Sequence, residues 1–239
     1  MVMVFEKEYE LRGSDFDCCD RLRPASVLDL FQDVAGIHAI RLGVGFDDLI
    51  AREMIWVLTK VKYEVVGAVR RYDRVRVRTW PLPPSRVNFR REYCIEGLDG
   101  TPLVHGTSEW VVVHSEKRRV LPAGNVYPDE EYCLQQLFEG RLRKIPAAPA
   151  EGAGYGVTPT FTHLDINGHV NNTKYADYVL DALQLPRDKA VRTFQIDYHR
   201  ELLLGTPVQL HWQWQEDTAL VCGRNAEGEN MFCCSVVCE

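Results

Sequence analysis

The 239-residue chain reads as an α+β protein made of two tandem domains, each an antiparallel sheet wrapped around one long helix. Three observations predict this. The order strand, helix, then four strands occurs twice along the chain. The halves superpose with offsets that shrink in steps: Asp17 on Asp165 (148), Tyr63 on Tyr198 (135), and Cys94 on Cys222 and Gly100 on Gly228 (128), as when the second copy has shorter loops. Between the halves runs a stretch rich in Pro, Gly and Ala. The expected division is 1–122, a linker over 123–153, and 154–239.

The elements follow in order. FEKEYEL alternates like a strand. After DFDCCDRLRP, apolar residues at Val27, Leu28, Phe31, Val34, Ala35, Ile37 and either His38 or Ala39 keep helical spacing, with Pro24 suited to a first turn. MIWVLTKVKYEVV, RVRVRTWPL, RVNFRREYCIEG and TPLVHGTSEWVVVH are rich in β-branched and aromatic residues and read as strands, the last two joined by an LDG hairpin turn. The second copy offers YGVTPTFT, the helix NNTKYADYVLDAL, and the strands AVRTFQIDYHREL, TPVQLHWQWQ, TALVCGRN and NMFCCSVVC, with AEG as the hairpin turn. In the linker, DEEYCLQQLFEGRLRK has the makings of a short helix.

Composition narrows the function. A 46% hydrophobic content supplies a core without help from metal or disulfides. A net charge of -6 argues against a general nucleic-acid or anionic-membrane binder. No apolar run reaches the ~20 residues of a membrane span, and MVMVFEKEYE is not a secretory signal. The eight cysteines form no CxxC or zinc-finger spacing, and no G-x-G-x-x-G occurs, so neither a metal nor a cofactor is expected. The thiols are expected to be reduced, mostly as small core residues of a cytoplasmic protein.

One stretch, LDINGHVNNTKYADYVLDAL, carries unusual chemistry. Asp165, Asn167 and His169 stand two residues apart, just before a helix. The plain reading is a turn at Asn-Gly with Asn171 or Asn172 as N-cap. The other reading is a catalytic loop.

DINGHVNNTKY, with IDYHREL downstream and IWVLTKV and EWVVVHSEKRRV in the first half, resembles the acyl-acyl-carrier-protein (acyl-ACP) thioesterases. The resemblance covers almost the whole chain and implies tandem hotdog domains. Single-hotdog acyl-CoA thioesterases share a looser form of the motif; chain length and the downstream Glu separate the two. By that likeness Asp165, Asn167, His169 and Glu201 fall on the family's catalytic Asp, Asn, His and Glu. Plant members often have Cys directly after the Glu. Here Leu202 stands there, which removes a thiol nucleophile.

Thioester hydrolysis needs an attacking water or carboxylate and donors for the oxyanion; the thiolate leaves readily. Asp165 and Glu201 are candidate bases or nucleophiles, with Asn167 and His169 as positioning groups. The amides of Val170, Asn171 and Asn172, at the expected helix start, are candidate oxyanion donors. The side chains of Asn172 and Tyr175 are assigned mainly to structure. The first half lacks the pattern, with DFDCCDRLRP opposite the motif and Val66 opposite Glu201, so only the second half looks catalytically equipped. Ile55, Trp56 and Leu58 line an acyl pocket on one reading and are plain core on the other. Arg74, Arg76 and Arg78 share one strand face, either as a solvated surface or as a docking stripe for an acidic carrier protein.

The expected function is hydrolysis of fatty acyl-ACP, releasing free fatty acid and terminating fatty acid synthesis, by a monomer or homodimer. Acyl-CoA hydrolysis and a non-catalytic acyl-binding module are the alternatives.

Overall fold

The computed structural model describes residues 3–124, 126–128, 131–150 and 154–239. The chain divides into two compact units, Met1–Asp15 with Asp29–Leu142, and Phe16–Leu28 with Arg143–Glu239.

In the first unit, strands β1 (Phe5–Glu10), β3 (Arg74–Pro81), β4 (Phe89–Gly97), β5 (Pro102–His114) and β2 (Met54–Val65) lie side by side in that order, all antiparallel. In the second, β6 (Gly154–Val157), β8 (Val208–Gln215), β9 (Thr218–Arg224), β10 (Asn230–Cys238) and β7 (Val191–Tyr198) repeat the same order and sense. Each strand of the first sheet thus has its counterpart in the second at the same rank. The repeat read from sequence is a repeat of topology. Both hairpin turns place glycine at positive φ, Gly100 at 85° and Gly228 at 79°, where a side chain would be strained.

Helix α1 (Pro24–Arg41) buries Phe31, Val34, Ala35 and His38 in the first unit, at i, i+3, i+4 and i+7 spacing. His38, not Ala39, takes the buried position. Phe31 stacks face to face on Tyr93 at 4.3 Å and lies against Gly106, where a Cβ would come within 2.2 Å of the ring. A short helix, α2 (Phe46–Ile50), which the periodicity does not announce, follows α1. In the second unit, α3 (Lys174–Leu183) buries Tyr175, Tyr178, Val179 and Ala182.

His38 is a neutral core acceptor. Its Nδ1 faces an Arg91 guanidinium nitrogen at 3.0 Å, and Arg91 also donates to Thr79 Oγ1. Burial, together with the nearby Arg91 and Arg41 cations, lowers its pKa to about 3. The unfolded state then takes up a proton below about pH 6.5 that the folded state refuses until about pH 3, so stability is fully present above 6.5 and declines across that window. His38→Asn is expected to flatten this part of the curve. Thermal melts of both proteins from pH 7 to pH 4 check it: equal slopes would remove His38 as the cause.

Two expectations are corrected here. The described residues 131–150 contain no helix; Asp129 and Glu130 lie outside the described residues. Backbone amides of this stretch go instead to buried carboxylates of the sheets. Leu137 N–H donates to Glu92 Oε2 at 2.7 Å, Leu142 N–H to Glu109 Oε1 at 2.9 Å, and Ile145 N–H to Asp197 Oδ2 at 2.9 Å. Charge-assisted acceptors of this kind outcompete one turn of helix. The second correction concerns the thiols. Cys222 on β9 and Cys233 on β10 stand directly opposite each other, Cα atoms 4.2 Å apart, and form a disulfide. The other six cysteines are free. Strand register creates this pair, and cysteine spacing along the chain does not reveal register.

Candidate active site

The polar stretch folds as a tight loop in the second unit. A 310 turn, Phe161–His163, leads into it, and an antiparallel bridge between Leu164 and Val170 closes it. Asp165 N–H donates to His169 O at 2.8 Å, and Gly168 N–H to Asp165 O at 3.1 Å. The Asp165 carboxylate organises the interior: Oδ1 accepts the amides of Asn167 at 2.8 Å and His169 at 3.3 Å. Gly168, at φ 77°, makes the reversal that a side chain would oppose.

The first copy contains the same loop, 148 residues earlier. Phe16 bridges Leu22. Asp17 N–H donates to Arg21 O, and Asp20 N–H to Asp17 O. Asp17 Oδ1 accepts the amides of Cys19 at 2.8 Å and Arg21 at 3.0 Å, and Asp20 takes the positive φ of 63°. The aspartate-centred scaffold is therefore common to both loops. What differs is the side chains it presents: Asn167 where the first has Cys19, and His169 where the first has Arg21. The first loop's arginine turns back onto its own aspartate, Nε to Asp17 Oδ2 at 3.2 Å.

Glu201 joins the second loop from the far end of the sequence motif. His169 and Leu203 form an isolated bridge, and Val170 N–H donates to Leu202 O at 2.9 Å. This brings Glu201 Oε2 within 3.5 Å of His169 Nε2, with the two side chains 42% and 32% exposed. All four polar residues expected to be catalytic thus lie on one loop or against it. Among the described residues, no cluster of three or more His, Cys, Asp or Glu has a metal-holding arrangement.

The expected oxyanion amides are corrected. Val170 N–H is taken by Leu202 O, and Asn171 N–H by His163 O at 2.9 Å. Helix α3 begins only at Lys174, so Thr173, and neither Asn171 nor Asn172, is its N-cap; Asn171 Oδ1 accepts Thr173 N–H at 3.0 Å in the turn before it. Asn172 keeps an amide with no acceptor among the described residues; its carbonyl accepts the Tyr198 hydroxyl at 2.8 Å. Of the three expected amides only that of Asn172 is thus left open among the described residues, while Asn167 Nδ2 donates to Asp165 Oδ2 at 3.4 Å and His169 Nε2 faces Glu201.

The remaining expected residues lie in the first unit. Ile55, Trp56 and Leu58 do not share a face, because side chains alternate along β2. Trp56 belongs to an aromatic cluster, edge-on to Phe89 at 4.8 Å and beside Trp110 and Tyr127, with Nε1 donating to Val44 O. A cavity of about 430 Å3 in this unit is lined by Leu82, Asn88, Arg90, Glu109 and Leu134, among others, and by none of those three. Of the two readings of these residues, plain core describes Trp56. For the arginine stripe, the ion pairs favour the solvated-surface reading over the docking stripe. Arg74 pairs with Glu8 at 2.9 Å; Arg76 reaches Glu6, Glu8 and Glu96 at 3.5–3.8 Å; and Arg78 reaches Glu6 and Glu96 at 3.8 and 3.7 Å. Neighbouring strands supply the acids, so the stripe is a neutralised ladder and not a free cationic surface.

Fold and loop together define a tandem hotdog protein with an Asp-Asn-His loop and a distal glutamate. The family models "Acyl-ACP thioesterase N-terminal domain" and "Acyl-ACP thioesterase C-terminal domain" match residues 2–128 and 148–230. The chain belongs to the acyl-ACP thioesterase family. It is 27% identical over 215 residues to the chloroplastic palmitoyl-acyl carrier protein thioesterase of Gossypium hirsutum, covering 83% of this chain and 52% of that one. To the oleoyl-acyl carrier protein thioesterase 1 of Arabidopsis thaliana it is 26% identical over 219 residues, 83% of this chain and 60% of the other. The chain thus spans little more than half the length of these curated relatives. An acyl-ACP thioesterase from Bacteroides thetaiotaomicron shares the fold with a TM-score of 0.87 at 22% identity, covering 99% and 98% of the two chains. The 12:0-ACP thioesterase of Umbellularia californica does so with a TM-score of 0.85 at 18% identity, covering 99% and 97%.

Proposed function

We propose that this chain hydrolyses the thioester of fatty acyl-ACP, releasing free fatty acid and so ending chain elongation. The observation that carries this reading is Glu201 held 3.5 Å from His169, on the loop that also presents Asn167. Family membership points the same way, and the named substrates of the curated relatives suggest the carrier.

Of the two carboxylates, Glu201 is assigned as the base. Asp165 has one oxygen committed to two amides, and its twin Asp17 does the same work in a loop without the asparagine and histidine. Asp165 therefore positions the loop. Glu201 removes a proton from water as the water oxygen bonds to the thioester carbonyl carbon. Asn167, His169 and the Asn172 amide are the nearby donors for the oxygen that becomes negative. Collapse breaks the C–S bond, and the departing thiolate takes the proton back from Glu201. Leu202, beside Glu201, brings no competing thiol.

The proposed location is the cytoplasm. Six free cysteines suit a reducing compartment, with the Cys222–Cys233 pair as the exception. Among the described residues no helix is long and apolar enough to cross a membrane.

Thiol release from a panel of acyl-ACP and acyl-CoA thioesters of increasing chain length tests the function. The expected result is turnover with kcat/KM higher for the carrier-bound thioester than for the CoA thioester of the same acyl chain. A preference for CoA would redirect the reading to acyl-CoA hydrolysis, and binding without turnover would make the chain an acyl-binding module.

A further inference from the structure

Glu201 sits on an irregular segment beyond the end of β7, not on a strand. Something must hold it in register with His169. The peptide that follows it, Leu202, is fixed from both sides. Its carbonyl accepts Val170 N–H, from the loop, at 2.9 Å. Its N–H donates to the hydroxyl of Tyr175, on the first turn of α3, at 3.1 Å. Leu202 is wholly buried and Tyr175 is 2% exposed, so water does not substitute for either partner.

The Tyr175 ring is itself locked. Phe232 at 5.1 Å and Tyr198 at 5.2 Å pack against it edge to face, from β10 and β7. Burial holds the phenol protonated, and the charges of Glu201 and Asp165 also bear on it. One rigid ring therefore connects the sheet core, helix α3 and the backbone at the general base.

We propose that Tyr175 is a positioning residue for the reaction: through Leu202 its hydroxyl sets the distance and direction of the Glu201 carboxylate relative to His169. This rests on the hydrolytic reading above. It gives chemistry to a tyrosine that the sequence alone assigns to packing.

The test is Tyr175→Phe in the full chain, assayed by thiol release with the acyl-ACP thioester that the wild type turns over fastest. The ring and its aromatic contacts stay; only the hydroxyl goes. We expect kcat to fall roughly tenfold to a hundredfold, the scale of a misplaced catalytic group, with KM within about twofold. Tyr178→Phe removes a hydroxyl from the same helix, one that bonds His163 instead, and is expected to keep wild-type kcat. In a Glu201→Gln background, Tyr175→Phe should cost nothing further, because Tyr175 acts through the missing carboxylate. A purely structural tyrosine would lower activity equally in both backgrounds. An active wild type with an unaffected Tyr175→Phe variant, or an equal loss in the two backgrounds, overturns the positioning role alone. A wild type inert on every thioester overturns the hydrolytic reading, and the positioning role falls with it.

Discussion

Glu201→Gln is expected to lower kcat for acyl-ACP hydrolysis by about two to four orders of magnitude, the range typical of a lost general base. Its melting temperature should not move, since the side chain is 42% exposed and fills no core space. KM should change little, because the carboxylate acts on water and not on the acyl chain. Asp165→Asn makes the informative contrast. The amide keeps one acceptor oxygen for the Asn167 and His169 amides, so the loop survives and kcat should fall less than about tenfold. Steady-state kinetics and melting curves on both variants decide the assignment. If Asp165→Asn proved the more damaging with folding intact, Asp165 and not Glu201 would be the base, and the comparison with Asp17 would have misled.

The largest expected effect on stability is Phe31→Ala, at about 3–5 kcal/mol, the usual cost of emptying a buried aromatic site. The ring is 2% exposed, stacked on Tyr93 and pressed on the backbone at Gly106. Its neighbours are strand residues whose positions the sheet sets, so the cavity cannot close by a local shift. Urea unfolding monitored by fluorescence measures the loss. A cost under about 1 kcal/mol would mean that α1 does not anchor the sheet of the first unit through this residue.

The same contrast between local and distant control explains what was legible. The duplication was readable because alternation and helical spacing are local, and five strands around one helix leave the same pattern twice. The polar loop was readable because Asp165, Asn167 and His169 lie within five consecutive residues. Even the matching backbone of the Asp17 loop is foreshadowed by the pairing of Asp17 with Asp165. Glu201 was reached only through resemblance, since nothing near it announces a base.

The misreadings share a cause. Val170 and Asn171 looked like open helix-start amides, but Leu202 and His163 had taken them. Arg74, Arg76 and Arg78 looked like a cationic stripe, but β1 and β4 bring glutamates beside them. The stretch after residue 130 looked helical, but buried carboxylates on the sheets took its amides. Apart from His163, eight residues before Asn171, these partners lie well outside any local window of sequence.

The amino-acid sequence by itself thus determined the α+β duplication, the turns and the polar loop, because these depend on side-chain period and on φ preference within a few residues. Only the tertiary structure decided which amides are spent, that Cys222 meets Cys233, and that the Tyr175 hydroxyl holds the peptide next to Glu201. Those facts depend on strand register and on helix placement, which are set by packing across the whole domain and not by any residue's neighbours in the chain.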